Sequence, residues 1–288
     1  MRFRWLCVLG LGSLAASAPA AALSIVPTSD EAVLQDAIFG NLAGLTVTSF
    51  SVSGHALLPL GERSTGTYTN ASGTYGIGRG VVISTGDVAA YGDGPNTFEG
   101  TSTDFLSPAT PADDLLLDPI TGIDVLTGQP YDHFDVTRID ITFDAAPTVE
   151  NVFFTIVFGS EEFQEFVGSP FIDAFGIYFN DTNIALVGGA PVNINHPAAN
   201  TIAGTELDGL VAPGGNPLLR FQVPVVPGST GNRLTFIVGD SSDEILDTTV
   251  FISGFGSVDP VAEPSGVALL AMGVAALAAR RRRAAARA

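Results

Sequence analysis

The chain has 288 residues, no lysine, 12 arginines and 30 acids, for a formal charge of −18. Seven of the arginines sit at the two ends (Arg2, Arg4, Arg280 to Arg283 and Arg287), so residues 23 to 260 keep five arginines against 29 acids, a formal charge of −24. Such a body repels phosphate backbones and anionic lipid, which excludes nucleic acid as a partner. Its one cysteine, Cys7, excludes disulfides and thiolate metal sites.

Residues 1–22 read as a secretory signal peptide. Arg2 and Arg4 give a positive start, Trp5 to Ala16 a short apolar run, and Ala18, Ala20 and Ala22 an A-x-A cleavage pattern. The run is shorter than the ~20 residues that span a bilayer. Residues 23–257 then form the body. Ser29 or Asp30 caps a predicted helix whose apolar positions are Ala32, Val33, Leu34, Ala37, Ile38 and Phe39, and Gly40 ends it.

After that helix the pattern is of strands. β-Branched and aromatic runs predict strands over 45–52, 81–84, 152–158, 174–179, 183–187, 218–226, 233–238 and 248–255. Over 136–143 the alternation is strict, with Ile139, Ile141 and Phe143 on one face and Arg138, Asp140 and Thr142 on the other. Pro224 marks 218–226 as an edge strand. Two long loops are expected, over 87–135 and 190–215. Many strands without alternating helices predict an all-β fold: a β-sandwich or jelly-roll-like domain with one short N-terminal helix.

The acids concentrate in two places. The stretch "VFGSEEFQEFVGSPFIDAFGIYF" sets Glu161, Glu162, Glu165 and Asp173 between two apolar runs that read as neighbouring core strands. "GDSSDEILD" sets Asp240, Asp243 and Asp247 between two further strands. Calcium takes six to eight oxygen ligands gathered from loops. Asp240, Asp243 and Asp247, joined by Glu162 and Asp173, form the candidate calcium site, and a solvated acidic turn is the plain alternative. A different reading makes Glu162 and Asp173 the acid and base of a glycan hydrolase. Against it, the only tryptophan, Trp5, lies in the signal.

Nucleophilic and nucleotide chemistry find no support. His55, His133 and His196 are scattered, Ser84 to Asp87 ("STGD") lacks a nucleophile elbow, and the glycines of Gly76 to Gly80 lead into a strand rather than a helix. No catalytic residue is assigned.

Residues 258–288 are a second targeting segment. Glu263-Pro264 precedes an apolar helix predicted over 266–279, which stops at Arg280, Arg281, Arg282 and Arg283. A short motif, an apolar run and a basic stop make a removable sorting signal, with the arginines cytoplasmic and the apolar run inserted transiently in the inner membrane. This tail resembles the PEP-CTERM signal of Gram-negative bacteria, with Ala262 where the family has its first proline. The resemblance implies an exosortase-type sorting enzyme as a partner.

The body also resembles a family. "LTVTSFSVSG", "GTYTNASGTYGIGRGVVISTGDV", "DDLLLDPITG", "YDHFDVTRIDITFDA", the Glu161–Glu162 stretch, "NIALVGG", "TELDGL" and "LTFIVGDSSDEILDTTVFISGF" follow one another over roughly residues 40 to 257. In that order they resemble the choice-of-anchor L domain. The resemblance implies a non-enzymatic protein at the cell surface or in the extracellular matrix, with a structural or adhesive role. Exopolysaccharide, biofilm or other surface proteins are the implied setting.

Overall fold

Alternation gives strands such as 136–143 one apolar face, wholly apolar runs such as 152–158 are apolar on both, and two sheets built from them close on one another. The structure is a computed structural model that describes residues 23–259 apart from 58–59, 71–72, 95 and 97–99. The residues read as a signal peptide and as a sorting segment, including the helix predicted over 266–279, lie outside the described residues. Among those that are described, no helix is long and apolar enough to cross a membrane.

In chain order, β1 (Leu23–Pro27) leads to α1 (Glu31–Ile38), then β2 (Leu45–Ser53), β3 (Ala56–Leu57), β4 (Glu62–Arg63), β5 (Thr65–Asn70) and β6 (Arg79–Ser84). A second helix, α2 (Pro111–Thr121), precedes β7 (His133–Ala145), β8 (Asn151–Ser160) and β9 (Ala174–Phe179). Short strands follow: β10 (Thr182–Asn183), β11 (Leu186–Val187), β12 (Ala190–Asn193), β13 (Ala199–Asn200) and β14 (Gly209–Val211). The chain closes with β15 (Leu219–Pro224), β16 (Asn232–Ser241) and β17 (Thr248–Gly256).

One sheet has the order β1-β5-β6-β17-β8-β14-β13, with β15 also paired to β8. The other has the order β11-β12-β9-β16-β7-β2, with β10 paired to β9. The strand pairs within both are antiparallel. The core between them takes Val81 and Ile83 from β6 and Phe154 and Ile156 from β8 on one side. From the other come Ile139, Ile141 and Phe143 of β7, Phe175 of β9 and Phe236 of β16. Phe154 joins the layers, stacking on Phe221 at 5.3 Å and meeting the edge of Phe236 at 5.2 Å. The expected β-sandwich is therefore the fold.

β8 is buried on both faces, as its apolar run predicts. Val157 points away from the core, into a second cluster with Tyr68, Tyr75, Tyr91, Val82 and Phe251. A third cluster lies on the outside of the other sheet, where Leu117 and Ile120 of α2 pack on Ala174, Tyr178 and Ile237. Leu34 and Ile38 of α1 close the open side of the main core. The Asp30 carboxylate caps α1, accepting the N–H groups of Ala32 at 2.9 Å and Val33 at 3.3 Å. Asp30→Ala is expected to lose ~1 kcal/mol of stability. Equal melting of variant and parent would show that the cap contributes nothing net.

Three expectations are corrected. The span 87–135 is not wholly loop, because it contains α2; Pro119 inside that helix and its three acids, Asp113, Asp114 and Asp118, mask the helical period. The span 190–215 contains β12, β13 and β14, each too short to show alternation. Finally, β8 and β9 are not neighbours: β8 pairs with β14, β15 and β17 in one sheet, and β9 with β10, β12 and β16 in the other. The acidic connection after β8 therefore crosses from one sheet to the other, and this crossing builds the site.

Candidate functional site

One end of the sandwich gathers the ends of β6, β8 and β16 with the starts of β7, β9 and β17. Antiparallel pairing forces this meeting: Ser160 of β8 lies opposite Thr248 of β17, Gly239 of β16 opposite Ala174 of β9, and Ser241 of β16 opposite His133 of β7. Glu161 and Glu162 therefore leave β8 where Asp173 enters β9, and Asp240 ends β16 where Asp247 enters β17.

These acids are not solvated. Exposure is 1 % for Glu161, 2 % for Glu162, 1 % for Asp173, 1 % for Asp240 and 0 % for Asp247. Asp243 is only partly buried, and Glu165 is exposed. The solvated-turn alternative therefore fails for four of the five predicted site residues and describes only the rim, at Asp243.

Burial does most of the electrostatic work, because a carboxylate taken out of water holds its proton more tightly. Burial, then Asp173 and Asp243, pushes Glu162 up to about 10. Burial raises Asp173 well above its ordinary value, with Asp247 and Asp243 adding to it and the Thr248 hydroxyl opposing it. Asp240 is raised likewise by burial, Asp173 and Asp247. Asp247 rises to about 7 by burial, against hydrogen bonds from Tyr91 and Thr103. Glu161 rises to about 8 by burial and by Asp208.

Hydrogen bonding divides the set. Asp247 is fully engaged: its Oδ2 accepts the Tyr91 hydroxyl at 2.6 Å, and both oxygens accept the Thr103 N–H at 3.1 Å. Oδ2 of Asp173 accepts the Thr248 hydroxyl at 2.7 Å. In contrast, both oxygens of Asp240, Oε2 of Glu162, both oxygens of Glu161 and Oγ of Ser241 are buried without a hydrogen-bond partner. The Thr85 hydroxyl opposes the rise at Asp240, and the Thr101 backbone that at Glu161, but neither meets hydrogen-bond geometry. Buried polar atoms are nearly always satisfied, so five carboxylate oxygens in one region form an electrostatic demand. Protons or a cation can meet it.

As the side chains stand, no group of three or more His, Cys, Asp or Glu among the described residues is arranged to hold a metal ion. A bound ion would have to draw Asp240, Glu162 and Asp173 together. A cavity of about 260 Å³ opens at Glu161 instead, lined also by Gly100, Glu165, Phe166, Asp208 and Leu246. The electrostatics lend the hydrolase reading no support: burial raises Glu162 and Asp173 in the same direction, whereas an acid–base pair has its two values driven apart.

Several members of this end carry no sequence signal of their own. Glu161 stands outside the candidate calcium set, and Tyr91 lies in the span 87–135 expected to be a loop. Ser84 to Asp87, set aside for lack of a nucleophile elbow, is the brace under Asp247. Its Thr85 hydroxyl accepts the Thr248 N–H at 2.9 Å, and Ser84 Oγ lies 2.8 Å from Thr249 Oγ1. A Cβ on Gly86 would fall 1.5 Å from Asp247 Oδ2. Only glycine lets the carboxylate lie there.

The choice-of-anchor L domain model matches residues 27–258, which takes in both sheets and the acidic end. The chain belongs to the choice-of-anchor L domain family. Membership suggests an exported or surface-anchored protein without enzymatic activity. No curated protein and no solved structure matches the chain. Within this choice-of-anchor L domain, the acidic end is a feature of the matched body and not of the terminal segments.

Proposed function

We propose that this choice-of-anchor L protein is exported through the inner membrane of a Gram-negative bacterium and sorted to the cell surface or matrix. There it serves as a non-enzymatic structural or adhesive module. Family membership over residues 27–258 carries this reading. The targeting segments support it from the sequence: a signal over 1–22, then Glu263-Pro264, an apolar run and Arg280 to Arg283, the layout an exosortase-type enzyme processes.

The same reading gives the acidic end a divalent cation, with calcium the ion suited to carboxylate oxygens. Asp240, Glu162 and Asp173 would hold it, Asp243 would stand at the rim, and Asp247 would fix the loop from below. The unpartnered oxygens of buried Asp240 are the observation that favours an ion. A body at −24 repels acidic exopolysaccharide, so attachment to a biofilm matrix would run through bridging calcium.

One localisation experiment tests export and bridging separately. The parent chain is expected as a processed surface form that EGTA releases from the matrix. Replacing Glu263 and Pro264 with alanines is expected to leave uncut precursor in the inner membrane. Normal processing of that variant would refute the sorting reading, and matrix attachment indifferent to EGTA would refute the bridge.

A further inference from the structure

Two adjacent acids, Glu161 and Glu162, leave β8 on opposite faces of its sheet. β14 pairs with β8 through Leu210 opposite Gly159 and Gly209 opposite Ser160. One residue further in that register, Asp208 stands opposite Glu161. On the other side the Glu161 N–H donates to the Asp247 carbonyl at 3.0 Å, which holds the backbone in the ladder just past the end of β8. Side chains alternate along a strand, and directly opposed residues share a face. Glu161 therefore follows Val157, which packs with Tyr75, Tyr91 and Leu210 in the outer cluster. Glu162 follows Phe158, which packs in the main core between the sheets.

The charges felt by each acid agree with this division. Asp208 and Glu206 act on Glu161, and Asp173 and Asp243 act on Glu162. Asp247 acts on Glu161, Asp173 and Asp240 alike. The acids at this end thus form two groups, with Asp247 between them.

On the outer face, Glu161 is the residue that demands a ligand. It is buried, both of its carboxylate oxygens lack a hydrogen-bond partner, and no ion pair among the described residues reaches it. It lines the cavity of about 260 Å³ together with Asp208 and Glu165. Asp208 is held in place, its Oδ1 accepting a side-chain N–H of Asn96, and Glu165 is exposed. A buried carboxylate without a partner is costly, and an acidic neighbour adds to the cost. A cation in the cavity removes both. The lining offers carboxylate oxygens and neither imidazole nor sulfur, which selects a hard divalent ion. Calcium takes about six to eight oxygens in a flexible shell and accepts water among them, so it suits an open cavity better than magnesium does.

We propose that Glu161 and Asp208 hold a calcium ion in this cavity, with Glu165 on its open side and water completing the shell. Binding draws Glu165 inward, because the side chains as they stand form no three-acid cage. This ion is separate from the one proposed at Asp240, Glu162 and Asp173 and does not depend on it. With one side in water, it binds the more weakly of the two and contributes less to melting.

Calorimetric titration of the EDTA-treated, full-length chain with calcium, in mild detergent at mildly alkaline pH, separates the two ions. The parent is expected to show a class of sites that Asp208→Asn and Glu161→Gln each weaken about tenfold or more and that Asp240→Asn leaves in place. Both replacements keep the size of the side chain, and either one reads the site if the other fails to fold. Should neither fold, Glu165→Gln on the exposed side is expected to weaken the same class about threefold. Parent-like binding in whichever of these variants fold would overturn the inference, and if Asp240→Asn still lost an ion, the site at Asp240 would stand without this one. A single class lost in Asp208→Asn and Asp240→Asn alike would mean one shared ion and would also overturn it. So would a parent that binds no calcium, which leaves the cavity to protons. A single class lost in Asp208→Asn and kept in Asp240→Asn would support this ion and remove the one at Asp240.

Discussion

Gly86→Ala is expected to lower stability by about 3 to 5 kcal/mol, at the upper end of what a single methyl does. Its Cβ would stand 1.5 Å from Asp247 Oδ2 and 2.0 Å from Cγ, so the carboxylate must leave. Asp247 cannot move alone. Its oxygens hold the Tyr91 hydroxyl and the Thr103 N–H, its backbone carbonyl accepts the Glu161 N–H at 3.0 Å, and the next residue is bonded to Thr85. Displacing it leaves the Thr103 N–H without this acceptor and the hydroxyl of fully buried Tyr91 with only the Thr101 carbonyl, at 3.4 Å. For a chain of this size the melting temperature should fall by roughly 6 to 15 °C. Gly78→Ala is the control, because a Cβ there meets nothing within 4 Å. If both variants melt alike, the carboxylate moves aside without loss and the brace is not one.

The second large effect is a stability that runs backwards with pH. Most proteins lose stability in acid because paired carboxylates must be protonated. Here Asp247 rises from 3.8 to about 7, Glu161 from 4.5 to about 8, and Glu162 from 4.5 to about 10. A folded-state value above the unfolded one means that the native chain keeps a proton the unfolded chain has lost. That contribution is complete below about pH 4 and drains away as pH climbs through each folded-state value, at ~1.4 kcal/mol per group per pH unit within its window. In EDTA, melting temperature should therefore drop steadily between pH 5 and 8. An ion bound as proposed would displace the protons, so stabilisation by calcium should be small at pH 5 and large at pH 8, ~2.7 kcal/mol at a hundredfold excess over the dissociation constant. Asp240→Asn should abolish most of the calcium response and flatten the slope in EDTA. Melting that is flat with pH in EDTA would sink the buried-acid account, whereas a pH slope with no calcium response would sink only the ion.

Both expectations rest on the five acids converging. The chain marks them as unusual, because Glu161, Glu162 and Asp173 interrupt two runs that must be buried. It does not mark them as close. Strand order decides that, and β8 and β9 sit in opposite sheets where sequence adjacency suggests neighbours. Asp240 and Asp247 likewise close and open strands of different sheets, β16 and β17. A turn joining two neighbouring strands would have kept its acids in water. A crossing between layers puts Glu162, Asp173, Asp240 and Asp247 beneath the surface.

Read alone, the sequence determines what depends on composition and short period: an acidic body without cysteine, apolar runs flanked by arginines near both ends, strands where apolar residues alternate, and membership of the choice-of-anchor L family. Period-two alternation survives folding because it states which face of each strand leaves water, as Ile139, Ile141 and Phe143 do here. Tertiary structure alone decides which strands meet, that a proline-bearing helix covers the outer sheet, that Gly86 makes room for Asp247, and that the acids end up dry. Those facts depend on contacts between residues far apart in the chain, as Gly86 and Asp247 are, and burial is a property of the assembled sandwich rather than of any stretch within it.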